Sequence, residues 1–367
     1  MTEQVKPAWL PPRWIVGLIQ ALRLLLLSLQ RRLFPANAVL FEQFQFLFLL
    51  PSLHVVSALD IAEKLRTGPR SVRELSMESG ADPDALYRVM RALACNGIFR
   101  EIGNRRFGLT PLARPLLNGP GSMRNIFLHH LSPVNWQIVG DLLKTVMTGT
   151  DGFNRGYGKN IYEYLRDHPA VFGLFDKSMS ALSSMGITPV LQSYNFTGIR
   201  VLADVGGGEG WFLSHILLRY PHLTGILYDL PEALAGAEEK IISMGLQNRM
   251  KWIAGDFRAS VPPGADAFLL KNVLHNWDDL TCIRILKNIC EVLPLTGKVL
   301  LIEMVIPLGN HLSTAKLIDI QMLASMPGGK ERTRGEFTGL LQQSGLKLHR
   351  FHRTVAPLCI LEACRIS

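Results

Sequence analysis

From Ile199 onward the chain alternates apolar runs with helical stretches, and this rhythm limits the fold more than any other feature. The runs are VLADVG, TGILYDLP, MKWIAGDF, ADAFLLKN and GKVLLIEMVIP, spaced so that a helix fits between them. Repetition of strand, loop, helix and strand marks a doubly wound α/β sheet. Its parallel strands are buried on both faces and so read as continuous apolar segments. Two further runs, LKLHRFHRTV and LCILEACRI, are expected to close the chain as an antiparallel pair.

At 367 residues the chain is long for one core, so a second domain is expected. Upstream, SVRELSMESGADPDALYRVMRALACNGIF reads as a helix, a turn at Gly80 and a second helix. Asp82 can cap that second helix with Pro83 in its first turn, and Leu86, Val89, Met90 and Leu93 share an apolar face. FREIGNRRFGLTPLA then supplies two strands around Gly103 and Asn104, which completes a winged helix. Asp82 and Asp84 stand in the turn that would enter a DNA groove, where they would repel phosphates. A dimerisation or scaffold role is therefore expected rather than nucleic-acid binding, although the formal charge is +9. The chain divides into a basic, apolar helical extension (1–38), a winged-helix-like dimerisation domain (39–121), a helical linker and acceptor-pocket segment (122–195) and an α/β domain (196–367).

The extension carries RWIVGLIQALRLLLLSLQRR, residues 13–32, which has the hydropathy of a membrane span. Arg23 at its centre would cost about 2.5–3.5 kcal/mol on insertion scales. Arg13, Gly17, Gln20, Arg23 and Gln30 fall near one polar stripe of a helical wheel. A helix buried against a partner or second subunit is expected, with peripheral membrane contact through residues 13–32, or a true span, as the alternatives. The five cysteines show no metal-like spacing; buried, reduced thiols in a cytoplasmic setting are expected, and no metal.

The first strand of the α/β region runs into DVGGGEGWF. A dinucleotide fingerprint needs a third glycine where Trp211 stands, so the loop reads as G-x-G-x-G through Gly206, Gly208 and Gly210. Asp229 closes the second strand, where an acid binds the two hydroxyls of a ribose. Asp256 closes the third with Phe257 beside it, a pairing suited to adenine's amino group and face. A nucleoside without phosphates is implied, and S-adenosylmethionine fits best. A bare tight corner, or a nicotinamide or flavin site, are the alternatives. Between residues 122 and 195 aromatic and methionine side chains recur, among them Trp136, Phe153, Phe172, Phe175 and Met179. At helical spacing these are either core or the walls of an apolar ligand site.

With DVGGGEG, DLP, GDF, LLKNVLHNWDD, LLIE and MPGGKERT in order, the chain resembles the S-adenosylmethionine-dependent O-methyltransferases of the caffeate, acetylserotonin and bacterial natural-product type. The resemblance runs from about Leu40 onward. It implies a Rossmann-like catalytic domain behind an N-terminal winged-helix dimerisation domain, hence a homodimer. Gly206 and Gly208 would line the methionine end of the cofactor, Asp229 its ribose, Asp256 and Phe257 its adenine, and Lys271 would lie alongside. His275 would be the general base, flanked by Glu303 and Glu331, and Met179 and Met322 match positions that clamp an aromatic acceptor. Asn276 departs from the aspartate the family commonly has there, removing a negative charge near the base.

The chemistry fits these residue types. A phenol, with a pKa near that of tyrosine at about 10, is protonated at neutral pH, whereas imidazole at about 6.5 can accept its proton. A hydroxylated, apolar small molecule, aromatic or isoprenoid, is the expected acceptor. Trp136, Phe153, Phe172, Phe175, Met179 and Met322 are its candidate walls. Altered chemistry on the same fold (hydroxylation or decarboxylation) and a ligand-sensing regulator are the rival readings.

Overall fold

The computed structural model describes residues 11–119 and 121–366. The first ten residues of the extension and the Arg13 side chain lie outside them. The chain packs as two units that are discontinuous in sequence: residues 14–137 with 165–182, and residues 138–164 with 183–366. The helical stretch 122–195 is thus divided between them.

In the first unit a helix Val72–Ser79 is closed by a capping box between Ser71 and Glu74, and Gly80 ends it in a left-handed conformation. The Asp82 side chain accepts from the Ala85 N–H and Pro83 opens the helix Pro83–Cys95, whose buried face is Leu86, Met90 and Leu93. Short strands β1 (Arg70–Ser71), β2 (Phe99–Glu101) and β3 (Arg106–Leu109) form an antiparallel sheet in the order β1-β3-β2. This is the expected winged helix. Asp84 at the start of the second helix pairs with Arg105 of the wing at 2.6 Å. The helix Arg13–Leu33 stands apart from this core: Trp14, Leu18, Leu22, Leu25 and Leu29 are all exposed.

In the second unit the strands are β4 (Val201–Val205), β5 (Thr224–Asp229), β6 (Met250–Ala254), β7 (Ala267–Lys271), β8 (Lys298–Ile306), β9 (Arg332–Thr333), β10 (Leu346–Arg353) and β11 (Leu358–Arg365). They form one sheet in the order β6-β5-β4-β7-β8-β11-β10, with the short β9 paired to β8. Strands β4 to β8 run parallel, and β10 and β11 are the antiparallel pair. Side chains alternate between faces, so along β7 Ala267 and Leu269 enter one core while Phe268 and Leu270 enter the other. Burial on both sides is what makes the run read as continuously apolar. The strand order reverses at β4 and β7, and the loops leaving their carboxyl ends meet there. In open sheets of this kind, that crevice is where ligands bind.

All five cysteines are free, but only Cys282 is buried, which corrects the expectation of uniformly buried thiols. Cys95 falls on the outer face of its helix, away from Leu86 and Met90, and is exposed.

Leu269 is wholly buried at the centre of the sheet. Leu269→Ala is expected to cost about 2–5 kcal/mol, read as a lower urea midpoint at an unchanged slope.

Candidate active site

Four glycines stand in the loop after β4, Gly206, Gly207, Gly208 and Gly210. Gly206, Gly208 and Gly210 all have positive φ, at 77°, 56° and 77°, a region L side chains rarely adopt. A Cβ at Gly206 would also lie 2.8 Å from Val273 in the loop after β7, so the two loops touch because residue 206 has no side chain. Asp229 at the end of β5 fixes the crossing: its carboxylate accepts from Gly208 N–H at 2.8 Å and Leu230 N–H at 2.7 Å. Burial pushes its pKa up against these two bonds. The remaining lone pairs of Asp229 can serve a diol.

Asp256 has a partner that sequence reasoning missed. Arg258 donates to both of its oxygens, at 2.7–3.1 Å, and its guanidinium holds the carboxyl below the usual range. That guanidinium also lies 4.8 Å from the ring centroid of Trp277. Tyr162 stacks on Trp277 at 5.6 Å with 17° between planes, and burial pushes its hydroxyl pKa up. Phe257 meets Trp277 edge-on at 6.3 Å. Aromatic and cationic surfaces are thus grouped beside Asp256 and Asp229.

Lys271 ends β7 and donates to Ser183 Oγ at 3.0 Å. Burial brings its pKa down to about 8, opposed by the charges of Asp204 and Glu303. Asp204, in β4 beneath the glycine loop, is buried, and its Oδ2 has no hydrogen-bond partner; burial pushes its pKa up to about 7. The next residue, Asn272, has φ 51°, and its carbonyl accepts from the Asn276 amide at 3.2 Å. An ionised aspartate at 276 could not donate that bond.

His275 sits in a one-turn 3-10 helix, Leu274–Asn276, four residues past β7. Its Nδ1 is 2.8 Å from Glu331 Oε1, with the His275 side chain 13% exposed and that of Glu331 fully buried. Glu303, buried within β8, accepts the N–H groups of Val273 and Leu274 at 3.0 and 2.9 Å through one oxygen. It therefore holds the backbone that leads into His275, not the ring. Burial pushes Glu303 up to about 7. Burial also works against charging His275, but the Glu331 hydrogen bond and the charges of Glu303 and Glu331 outweigh it, so its pKa stands above the ordinary 6.5. Ligand-type atoms of His275, Glu303 and Glu331 lie within 4.8 Å of one another, a spacing that could also hold a cation. Here one oxygen of each glutamate is already committed to the ring or to backbone.

Of the expected acceptor walls, Phe153 and Met322 belong to the unit carrying the large sheet. Phe153 is buried against Tyr164 at 5.3 Å, and Met322 is also buried. Trp136, Phe172, Phe175 and Met179 belong to the other unit, where Phe175 lies edge-on to His129 at 5.3 Å.

A model of the O-methyltransferase domain matches residues 139–347, and one of the O-methyltransferase dimerisation domain matches residues 43–119. The chain belongs to the O-methyltransferase family. Among relatives of this O-methyltransferase is a phenazine O-methyltransferase of Lysobacter antibioticus, 33% identical over 90% of this chain and 96% of its own. The solved mitomycin 7-O-methyltransferase is 30% identical, with a TM-score of 0.83, over 90% of this chain and 98% of that one. An O-methyltransferase from neocarzinostatin biosynthesis, solved with S-adenosylmethionine and 2-hydroxy-5-methyl naphthoic acid, is 28% identical over 86% of this chain and 96% of its own, with a TM-score of 0.75.

Glu331 raises the His275 pKa, so replacing it has a definite sign. In Glu331→Gln the His275 pKa is expected to fall, read by nitrogen-15 NMR as a ring titration at lower pH than in the wild type. A His275 titration that stays put or moves up would refute the pairing.

Proposed function

We propose that this O-methyltransferase methylates a hydroxyl of an apolar, fused-ring aromatic small molecule, with S-adenosylmethionine as donor and His275 as general base. The carrying observation is the 2.8 Å contact between His275 Nδ1 and Glu331. With Nδ1 engaged as donor, Nε2 is the nitrogen left to accept a proton, and the carboxylate stabilises the imidazolium that results. The site's residues suit the cofactor: a loop open at Gly208, a diol-binding acid at Asp229, stacked aromatic surfaces, and a buried carboxylate oxygen on Asp204 with no partner. Bound there, S-adenosylmethionine supplies a methyl carbon already activated by its sulfonium. The protein's part is to hold the acceptor hydroxyl in line and remove its proton. Base catalysis of this kind contributes roughly 10²–10⁴-fold, and alignment can contribute more.

Relatives named for phenazine, mitomycin and naphthoate favour a flat, polycyclic acceptor over an isoprenoid. Hydroxyphenazines, hydroxynaphthoates and hydroxylated isoprenoids, assayed with labelled methyl donor, separate the two. In His275→Ala, S-adenosylmethionine affinity is expected to survive while turnover falls by about 10²–10⁴-fold. Turnover within a few-fold of wild type would remove the base assignment.

The dimerisation match supports a homodimer and begins at residue 43, beyond the helix Arg13–Leu33. That helix has basic residues and no acidic ones, and Trp14, Leu18, Leu22, Leu25 and Leu29 are exposed along one arc. We infer that it lies on an anionic lipid surface, with Arg23 at its centre opposing a span. The full chain should float with phosphatidylglycerol vesicles and not with phosphatidylcholine vesicles. Deletion of residues before 36 should abolish flotation while light scattering still reads a dimer of the shortened chain. Loss of the dimer on deletion, with no flotation before it, would assign the helix to the second copy instead.

A further inference from the structure

Arg332 is the largest wholly buried side chain among the described residues. A guanidinium removed from water is strongly unfavourable unless every donor is satisfied, and here all five are. Nε and Nη2 donate to Asp279 Oδ1 at 2.9 and 2.8 Å. Nη1 donates to the carbonyls of Leu274 and Lys330 at 2.9 and 3.3 Å, and Nη2 also donates to the carbonyl of Trp277 at 2.8 Å.

Leu274 and Trp277 are the two ends of the turn that carries His275, and Trp277 N–H itself closes on Leu274 at 3.2 Å. Arg332 therefore holds both ends of that turn with one rigid fork. Its chain neighbours hold what lies between: Glu331 takes the His275 ring, and Lys330 N–H donates to the His275 carbonyl at 2.9 Å. A Cβ at Gly329 would lie 2.8 Å from that same carbonyl, so the two loops run in contact. Arg332 is itself fixed by its backbone, since β9 pairs Arg332 with Val305 of β8.

We propose that Arg332 is a positioning residue for the methyl transfer, fixing the turn so that Glu331 can set the tautomer and aim of His275. It touches neither acceptor nor cofactor and acts through the histidine, so the assignment rests on the general-base reading above. Lysine keeps the charge but offers one nitrogen, which cannot span the two carbonyls and Asp279 together.

The test uses Arg332→Lys and Asp279→Asn. Asp279 is half exposed, so its variant remains informative if the buried one fails to fold. Nitrogen-15 histidine NMR follows His275, its signal assigned by its loss in His275→Ala. As the turn relaxes and Glu331 loosens from the ring, His275 should titrate at lower pH in both variants, while S-adenosylmethionine affinity holds. With 2-naphthol or any acceptor found in the screen, Arg332→Lys should lower kcat by about 10–100-fold. Added to His275→Ala, it should cost less than about twofold more. An unchanged His275 titration in the folded variants, or full additivity of the two substitutions, overturns the proposal. If His275→Ala leaves turnover intact, the base reading fails by itself, and the titration still reports whether Arg332 places the ring.

Discussion

A buried carboxylate oxygen in the sheet holds the start of the loop that carries His275. Glu303 stands in β8 with no exposure, and its Oε1 accepts the N–H groups of Val273 and Leu274. Those are the last two residues before His275. Backbone donors at a buried loop start need partners, and a loop cannot find them in a neighbouring strand. Glu303 supplies one oxygen for two donors, so the path of the chain out of β7 is set by an element of the sheet core. The glycine loop then packs against Val273, and the GKERT loop packs against His275 and Asn276. Move Glu303 and each of these contacts loses its reference.

The fold was legible because its signal is local and repeated. Buried parallel strands had to be continuously apolar, and β4, β5 and the antiparallel pair end within two residues of the ends of their runs. Winged-helix caps were equally plain, since Asp82 and Pro83 act within a few residues of themselves. Site partners were harder. Asp256 next to Phe257 suggested a ligand, yet its oxygens meet Arg258, two residues on, because a guanidinium at that spacing can fold back onto the carboxylate. Tyr162 lies in the aromatic segment 122–195, and nothing in that segment's own sequence shows that it stacks on Trp277.

Glu303 and Glu331 came near His275 through the family resemblance alone, and the structure gives them unlike tasks. One holds backbone; the other holds the ring. Arg332 shares the motif with Glu331 and passed unremarked, since an arginine in sequence most often means a solvated surface. Asn276 drew notice as a lost charge. Its amide donates to the carbonyl of Asn272, a residue held at positive φ, so the change also supplies a donor where the backbone is least comfortable.

Charge explains why these groups belong together. Burial pushes the Asp204 and Glu303 carboxyls up and the Lys271 ammonium down, so each gains in its neutral form within this region. In the proposed reaction S-adenosylmethionine would supply a methyl carbon on a positively charged sulfur, and His275 would take up the acceptor's proton within the same buried region. Glu331 and Glu303 favour a cation there, which is why the imidazolium is tolerated and why the His275 pKa is raised. The same stabilisation has a cost at lower pH, where the ring is already protonated before the acceptor arrives. A base raised in this way works only if its free nitrogen is aimed at the hydroxyl whenever it is neutral, and that requirement falls on the loop that holds it.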